Sequence, residues 1–375
     1  MTNSKFGLVK IAIFRDSHYI FDMKNFKKTG IFLCAVFMFF SCTKVSKQEN
    51  SSSKNNEQSQ IEKDDSVKKQ FEKSQKEEER QQKKLASRKK VDFAFAKDET
   101  AVFAAYLMES AREISGKTDA FYEIFLSYDE IIPELVSGQI DFAVLPVNKA
   151  AETYKKNAGA IKIAAVVQNC SSVFVSEEDF TSVLDLSGKK ISVCEENSLS
   201  DLTLKYFLKQ NDLKIGEGEE EVFLEYNADQ KKMALDLADK KISCALLDEP
   251  YASFAVKKNP NLKKSLSLEE NLPFYVLVVN SEFASKNKGT VKKVLKIFKN
   301  SKDWIFNNPI KAGIFFEKRE LGFEQKIITA SIADSNLTFL SEKNLQSKIE
   351  EILNILIEMN PEFLESSLPD KDFYL

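Results

Sequence analysis

Histidine is almost missing from this chain: of its 375 residues only His18 carries an imidazole. That residue lies upstream of a segment expected to be removed, so the mature protein should contain no histidine. The commonest general base and the commonest metal ligand are then absent, which excludes Ser-His-Asp, Cys-His and His-ligated zinc sites and lowers the expectation of catalysis. Charge of one sign is not in excess either. A net charge of −3 gives no sign of the basic face a nucleic-acid binder carries. Closely paired thiols are lacking as well: none of Cys34, Cys42, Cys170, Cys194 and Cys244 shows C-x-x-C spacing, so a redox or zinc motif is excluded. Cys170, Cys194 and Cys244 read as small apolar side chains near strand ends.

What is present is enough apolar material, 43% of the residues, for two domains of ordinary size. The amino end is an address. From Met23 the sequence runs MKNFKKTG, then the apolar stretch IFLCAVFMFF, then Ser41 and Cys42, the three parts of a secretory signal. The stretch is too short for a membrane span, which needs ~20 apolar residues. The tetrapeptide FFSC resembles a relaxed lipobox of bacterial lipoproteins, with Cys42 as the lipidated thiol. Residues 1–42 are therefore read as a signal segment with its true start at Met23. Residues 43–90 are rich in Ser, Gln, Asn, Glu and Lys, without glycine or proline. They cannot bury enough surface to offset their ordering entropy, and they read as a disordered, charged tether.

From Val91 the chain resembles itself about a hundred residues later. VDFAFAKDETAVFAAYLMESAREISG is answered by KKISVCEENSLSDLTLKYFLKQNDL, and each copy alternates strand and helix three times. Ala104, Leu107, Met108 and Ala111 recur at helical spacing, with Gly116 as the stop. Ser127 with Glu130 in capping-box form, and Asn227 with Gln230, open the second helix of each copy. FAVLP and SCALL are the continuous apolar runs of parallel strands covered on both faces. The pattern predicts an α/β protein of two doubly wound lobes. LPFYVLVV near residue 274 returns the chain, so that residues 91–170 and 274–375 form one lobe, residues 171–273 the other, and two crossings the hinge.

Ligands of open α/β sheets sit beyond the carboxyl ends of the strands. The candidates there are Asp98, Glu99, Thr100, Ser127, Tyr128, Asn148 and Asn169 to Ser172 in the first lobe. The second lobe offers Asn197, Ser198, Ser200, Asp248, Glu249 and Tyr251, and the return crossing Phe274 and Tyr275. Thr100, Ser127 and Ser198 equally suit helix caps, and the aromatics equally suit packing. Glu195 and Glu196 add to an acidic mouth in which arginine is nearly absent. Strongly anionic ligands want bidentate arginines. Carboxylates with aromatic hydroxyls suit a planar, neutral or amine-bearing molecule.

DEIIPELVSGQIDFAVLPVNKAA, VLDLSGKKISV, CALLDEPYA and the terminal LPDKDFY, in this order and spacing, resemble the ABC-transporter substrate-binding proteins of the nitrate, sulfonate, taurine and thiamine-precursor group. The resemblance implies a type II periplasmic-binding (Venus flytrap) fold, hinge closure on a small-molecule ligand, and docking on ABC permease and ATPase subunits. It implies neither a cofactor nor a metal. The loop KDETA departs from the small glycine- or proline-bearing loop usual there, which argues against anion binding by bare amides. The expectation is an extracytoplasmic, lipid-anchored monomer that is not an enzyme, its ligand a pyrimidine-type vitamin precursor or similar small heterocycle. The alternatives are an alkanesulfonate, taurine or nitrate binder, a fold-sharing lyase or pyrimidine synthase, and a sensory or surface lipoprotein.

Overall fold

The computed structural model describes residues 88–375 except 269 and 270, together with Lys73, Lys76, Glu77 and Arg80 upstream. The signal segment, Cys42 and most of the expected tether lie outside the described residues. Strand β1 (Lys89–Ala96) begins two residues before Val91, where the sequence places the start of the folded part. Lys89 and Lys90 belong to it because they pair with Thr118 and Asp119 of a neighbouring strand.

The first copy continues as α1 (Val102–Ser110), β2 (Glu113–Ser115), β3 (Thr118–Phe125), α2 (Tyr128–Ser137), β4 (Phe142–Pro146), α3 (Val147–Lys156) and β5 (Ile161–Asn169). The second runs β6 (Val173–Ser176), β7 (Lys190–Cys194), α4 (Leu199–Gln210), β8 (Phe223–Asn227), α5 (Gln230–Ala238), β9 (Cys244–Leu247), α6 (Tyr251–Lys258) and β10 (Lys263–Ser267). The return comprises β11 (Pro273–Asn280), α7 (Ser281–Lys286), α8 (Lys288–Asn307), α9 (Pro309–Lys318), α10 (Gln325–Ser331), β12 (Leu337–Leu340) and α11 (Leu345–Met359).

Two sheets result, ordered β12-β5-β11-β4-β1-β3-β2 and β10-β6-β9-β7-β8. In each, three parallel strands (β3-β1-β4 and β8-β7-β9) are followed by an antiparallel strand that enters from a crossing, β11 in the first sheet and β6 in the second. The duplication read from the sequence is thus a duplication of topology. The crossings hold one another: the Cys170 amide donates to the Leu272 carbonyl at 2.8 Å and the Leu268 amide to Ser172 at 3.0 Å.

Local chemistry explains where several elements start and stop. Gly138 ends α2 at φ 76°, its amide reaching the Glu134 and Leu135 carbonyls, a left-handed cap that glycine adopts without strain. Three expected signals shift. The capping box at Ser127 is not formed; Glu130 accepts instead from the Leu126 amide at 3.1 Å, and Ser127 makes no side-chain cap bond. The cap of α5 is Asp229, which accepts from the Lys232 amide at 2.6 Å, while Asn227 ends β8. Gly116 lies between β2 and β3, and α1 has already ended at Ser110.

Three apolar clusters hold the sheets. On one face of the first sheet Phe93, Phe103, Phe142 and Phe298 form a chain of rings 5.4–6.1 Å apart, contacts worth about 0.5–1.5 kcal/mol each beyond simple burial. α8 supplies Phe298 because Val291, Val294, Phe298, Ser301 and Ile305 fall on one buried stripe. The opposite face shares a second cluster with the other lobe: Leu199, Leu202 and Leu208 of α4 join Ile349, Ile352, Leu353 and Leu356 of α11. The third, around Met233, Leu237 and Ala252, covers the far side of the second sheet. No helix among the described residues is long and apolar enough to cross a membrane.

Candidate functional site

Asp98, directly after β1, starts a 3-10 turn over Glu99–Ala101, and the turn is built by its own side chain. One carboxylate oxygen accepts from the Thr100 amide at 2.9 Å and the Thr100 hydroxyl at 2.6 Å, and the other accepts from the Tyr128 hydroxyl. Thr100 is fully buried and engaged within this turn. The turn aims Glu99 inward, where it is 9% exposed and accepts from the Tyr275 hydroxyl at 2.5 Å. Tyr275 comes from β11, so a residue of the return crossing fixes a residue of the first loop.

The facing lobe contributes Asp248, after β9. Its oxygens accept from Ser172 at the first crossing, from Ser200 at 3.2 Å and from the Gln230 amide at 2.7 Å. Gln230 also accepts from the Asp248 backbone amide at 2.9 Å. A residue read from sequence only as a helix starter therefore holds Asp248 at both its carboxylate and its backbone amide.

These groups feel one another across the lobe boundary. Burial first, then the charges of Asp98 and Asp248, push the Glu99 carboxyl well above its ordinary range. Burial also raises Asp98, outweighing the bonds from Thr100 and Tyr128. The phenols of Tyr128 and Tyr275 are pushed far up, mainly by burial and then by these acids, so both remain hydroxyl donors. Among the described residues no lysine or arginine pairs with Asp98, Glu99 or Asp248. Acids whose charged forms are disfavoured by burial and by one another gain from a positive or proton-sharing guest.

Glu249 behaves differently. It is 1% exposed, accepts from the Ser253 amide at 3.2 Å and from Lys264 at 2.7 Å. Lys264 reaches on to Asp334 of the first lobe. Burial disfavours the Lys264 ammonium, but Glu249 and Asp334 together outweigh it and raise its pKa. Glu249 is thus a paired acid in a bridge between lobes, a role that sequence separation hid.

Of the remaining candidates, Ser198 caps α4, accepting from the Asp201 amide at 3.2 Å and donating to the Cys194 carbonyl at 2.8 Å. Asn197, exposed at φ 61°, gives its amide to Asp201. Glu195 and Glu196 are exposed, as is Ser127. Asn169 ends β5, its amide bonded to the Asn336 carbonyl at 3.0 Å, and Phe274 is core. Asn148 is half-buried, with its amide oxygen buried and unpartnered. Tyr251 packs edge-on against Phe323, ring centres 5.1 Å apart. The structure thus brings Asp98, Glu99, Tyr128, Tyr275, Ser172, Ser200 and Asp248 together and leaves Ser127, Asn197 and Ser198 to the loops and caps.

Residues 127–312 match the family model described as NMT1/THI5 like. An ABC transporter structure from Parabacteroides distasonis is similar, with a TM-score of 0.65 and 18% identity over 76% of this chain and 98% of that one. The periplasmic aliphatic sulphonate binding protein SsuA of Escherichia coli gives 0.60 and 14% over 76% and 93%. The periplasmic nitrate-binding protein NrtA of Synechocystis PCC 6803 gives 0.54 and 13% over 74% and 84%. No curated protein sequence matches the chain. Residues 127–312 are thus similar to the NMT1/THI5-like family, and the chain has the type II periplasmic-binding fold, two α/β lobes joined by two crossings.

Proposed function

We propose that this protein is the extracytoplasmic substrate-binding component of an ABC importer, and that it captures a small, planar, amine-bearing molecule between its lobes. The observation that carries this reading is the convergence of Asp98, Glu99 and Asp248 from opposite lobes, framed by the Tyr128 and Tyr275 hydroxyls and without a basic partner. Each lobe alone offers one part of the acidic cradle. Burial and mutual repulsion disfavour the charged forms of Asp98 and Glu99; a cationic guest held by both lobes stabilises those charged forms, so it binds the closed form better and shifts the population toward it.

Capture asks for hydrogen bonding, charge and closure, and for no bond to be made or broken. A pyrimidine-type vitamin precursor or a similar small heterocycle fits the class. The chain's neighbours in fold include proteins named for sulphonate and nitrate, and that alternative is disfavoured by the sign of the charge at this cleft. Cys42 is taken as the lipid attachment point, the closed form as what the permease and ATPase subunits recognise, and a monomer as the working state.

Thermal-shift measurement on the chain tests the ligand class, since a ligand that binds only the folded form raises its melting point. Aminopyrimidines should stabilise it; stabilisation by taurine or nitrate alone would replace the amine reading with the anionic one. Scattering with and without the stabilising compound should show compaction. Labelling with radioactive palmitate should be lost in Cys42→Ala.

A further inference from the structure

Behind the acidic cluster, between the lobes, lies a cavity of about 20 Å³. It is large enough for one water-sized group. Its polar lining is Glu99, Gln168, Glu249, Ser331 and Ser335, and Phe316 and Leu337 are among its apolar walls. Gln168, near the end of β5, is 1% exposed, and neither its side-chain oxygen nor its side-chain nitrogen has a hydrogen-bond partner. Buried amides are nearly always satisfied, and leaving both ends unmade costs the folded state.

The other polar groups here are already committed. Ser331 and Ser335 donate to the Ile328 and Ile332 carbonyls at 3.0 and 2.8 Å, which leaves them lone pairs only. Glu249 is held by Lys264 and Ser253. Glu99 is shared between this cavity and the acidic cluster, tied to Tyr275, whose own strand pairs with β5 at Gln168. The open demand of the cavity is thus one donor and one acceptor, side by side on a single planar amide.

We propose that Gln168 is a ligand-reading residue: its carboxamide pairs with an edge of the captured molecule that presents an N–H next to a nitrogen or oxygen acceptor. A carboxamide reads an amino group beside a ring nitrogen in this two-pronged way; a primary carboxamide offers the same edge. The cavity takes one prong of that edge, a single water-sized group, and the body of the molecule lies toward Glu99, which the cavity shares with the acidic cluster. This inference rests on the reading of the cleft as a ligand site and adds to it the part of the ligand that must enter first.

Gln168→Leu, close in volume, tests it on the full chain with two readouts. The ligand-free variant should melt about 2–4 °C higher, the size of shift a modest stabilisation gives in a domain of this length, because an unsatisfied amide has been removed. The shifts that 4-aminopyrimidine and nicotinamide produce in the wild type should vanish in the variant. Pyrimidine, which lacks the donor, should stabilise neither form, and choline, a cation without N–H, should affect both equally.

A variant that melts at or below the wild-type temperature would overturn the proposal, since Gln168 would then be structural. So would a variant that keeps its response to 4-aminopyrimidine, or a wild type that ignores both edge-bearing probes. A wild type that responds to choline but to neither of those probes would retire the Gln168 subsite alone. One that responds only to anions would retire the acidic-cleft reading with it.

Discussion

The lobes meet along two seams of opposite character. At one, α4 and α11 share an apolar core, with Leu199, Leu202 and Leu208 against Ile349, Ile352 and Leu353. At the other, contact is polar: Asp98 and Glu99 face Asp248, and Lys264 spans Glu249 and Asp334. Apolar contacts are short-ranged and insensitive to pH or to a charged solute, whereas buried acids respond to both. The contrast teaches that adhesion and responsiveness are assigned to different faces of the lobe boundary.

Breaking the apolar seam should cost most. Leu353 is fully buried, and Leu353→Ala should lose about 3–5 kcal/mol of unfolding free energy, read from urea denaturation, with little dependence on pH. Lys264→Met comes next. It strands Glu249 without its cation, and because Lys264 is 26% exposed the loss should be about 2–3 kcal/mol, below the value for a fully buried pair. Lys264→Met with Glu249→Gln should recover most of it.

The third test sharpens the difference in pH response. The folded-state pKa of Glu99 is raised above its unfolded value, so the native state binds the extra proton. Its contribution is full below the unfolded pKa and is lost as pH rises through the folded one. Asp141, raised to about 6 mainly by burial, acts in the same direction between pH 4 and 6, roughly. Melting temperature should therefore fall as pH rises from about 4 upward, and Glu99→Gln should flatten the fall and raise stability at pH 8. An unchanged slope in the variant would mean that the acid is not strained by its neighbours. The smallest effect belongs to the rim of the apolar seam: Lys209 and Glu358 pair at 2.8 Å but are 58% and 45% exposed. Lys209→Ala should change stability by less than about 1 kcal/mol.

Much of the architecture was legible because it is periodic or repeated. FAVLP and SCALL announce strands covered on both faces, and Phe142–Leu145 of β4 and Cys244–Leu247 of β9 do lie buried, with Ser243 left exposed just before β9. The acidic loops were legible too, since Asp98, Glu99 and Asp248 follow strand ends. What escaped was pairing across long separations. Nothing near Lys264 in sequence points to Asp334, 70 residues away, and Gln230 looked like a helix starter because its partner Asp248 lies on another element. Gln168 left one unread signal, a lone amide closing the apolar run IKIAAVV. The Ser127 capping box failed for a local reason: the Glu130 carboxylate reached one residue further back.

The placement of β11 bears on how the chain assembles. It lies between β4 and β5, yet it is made only after every strand of the second sheet. As the polypeptide is made, the smaller sheet can be completed first from its own continuous segment. Meanwhile β4 keeps one bare edge and β5 both, the kind of exposure that invites mispairing. The larger lobe is thus the later one to mature, waiting on a single strand to zip its two halves together.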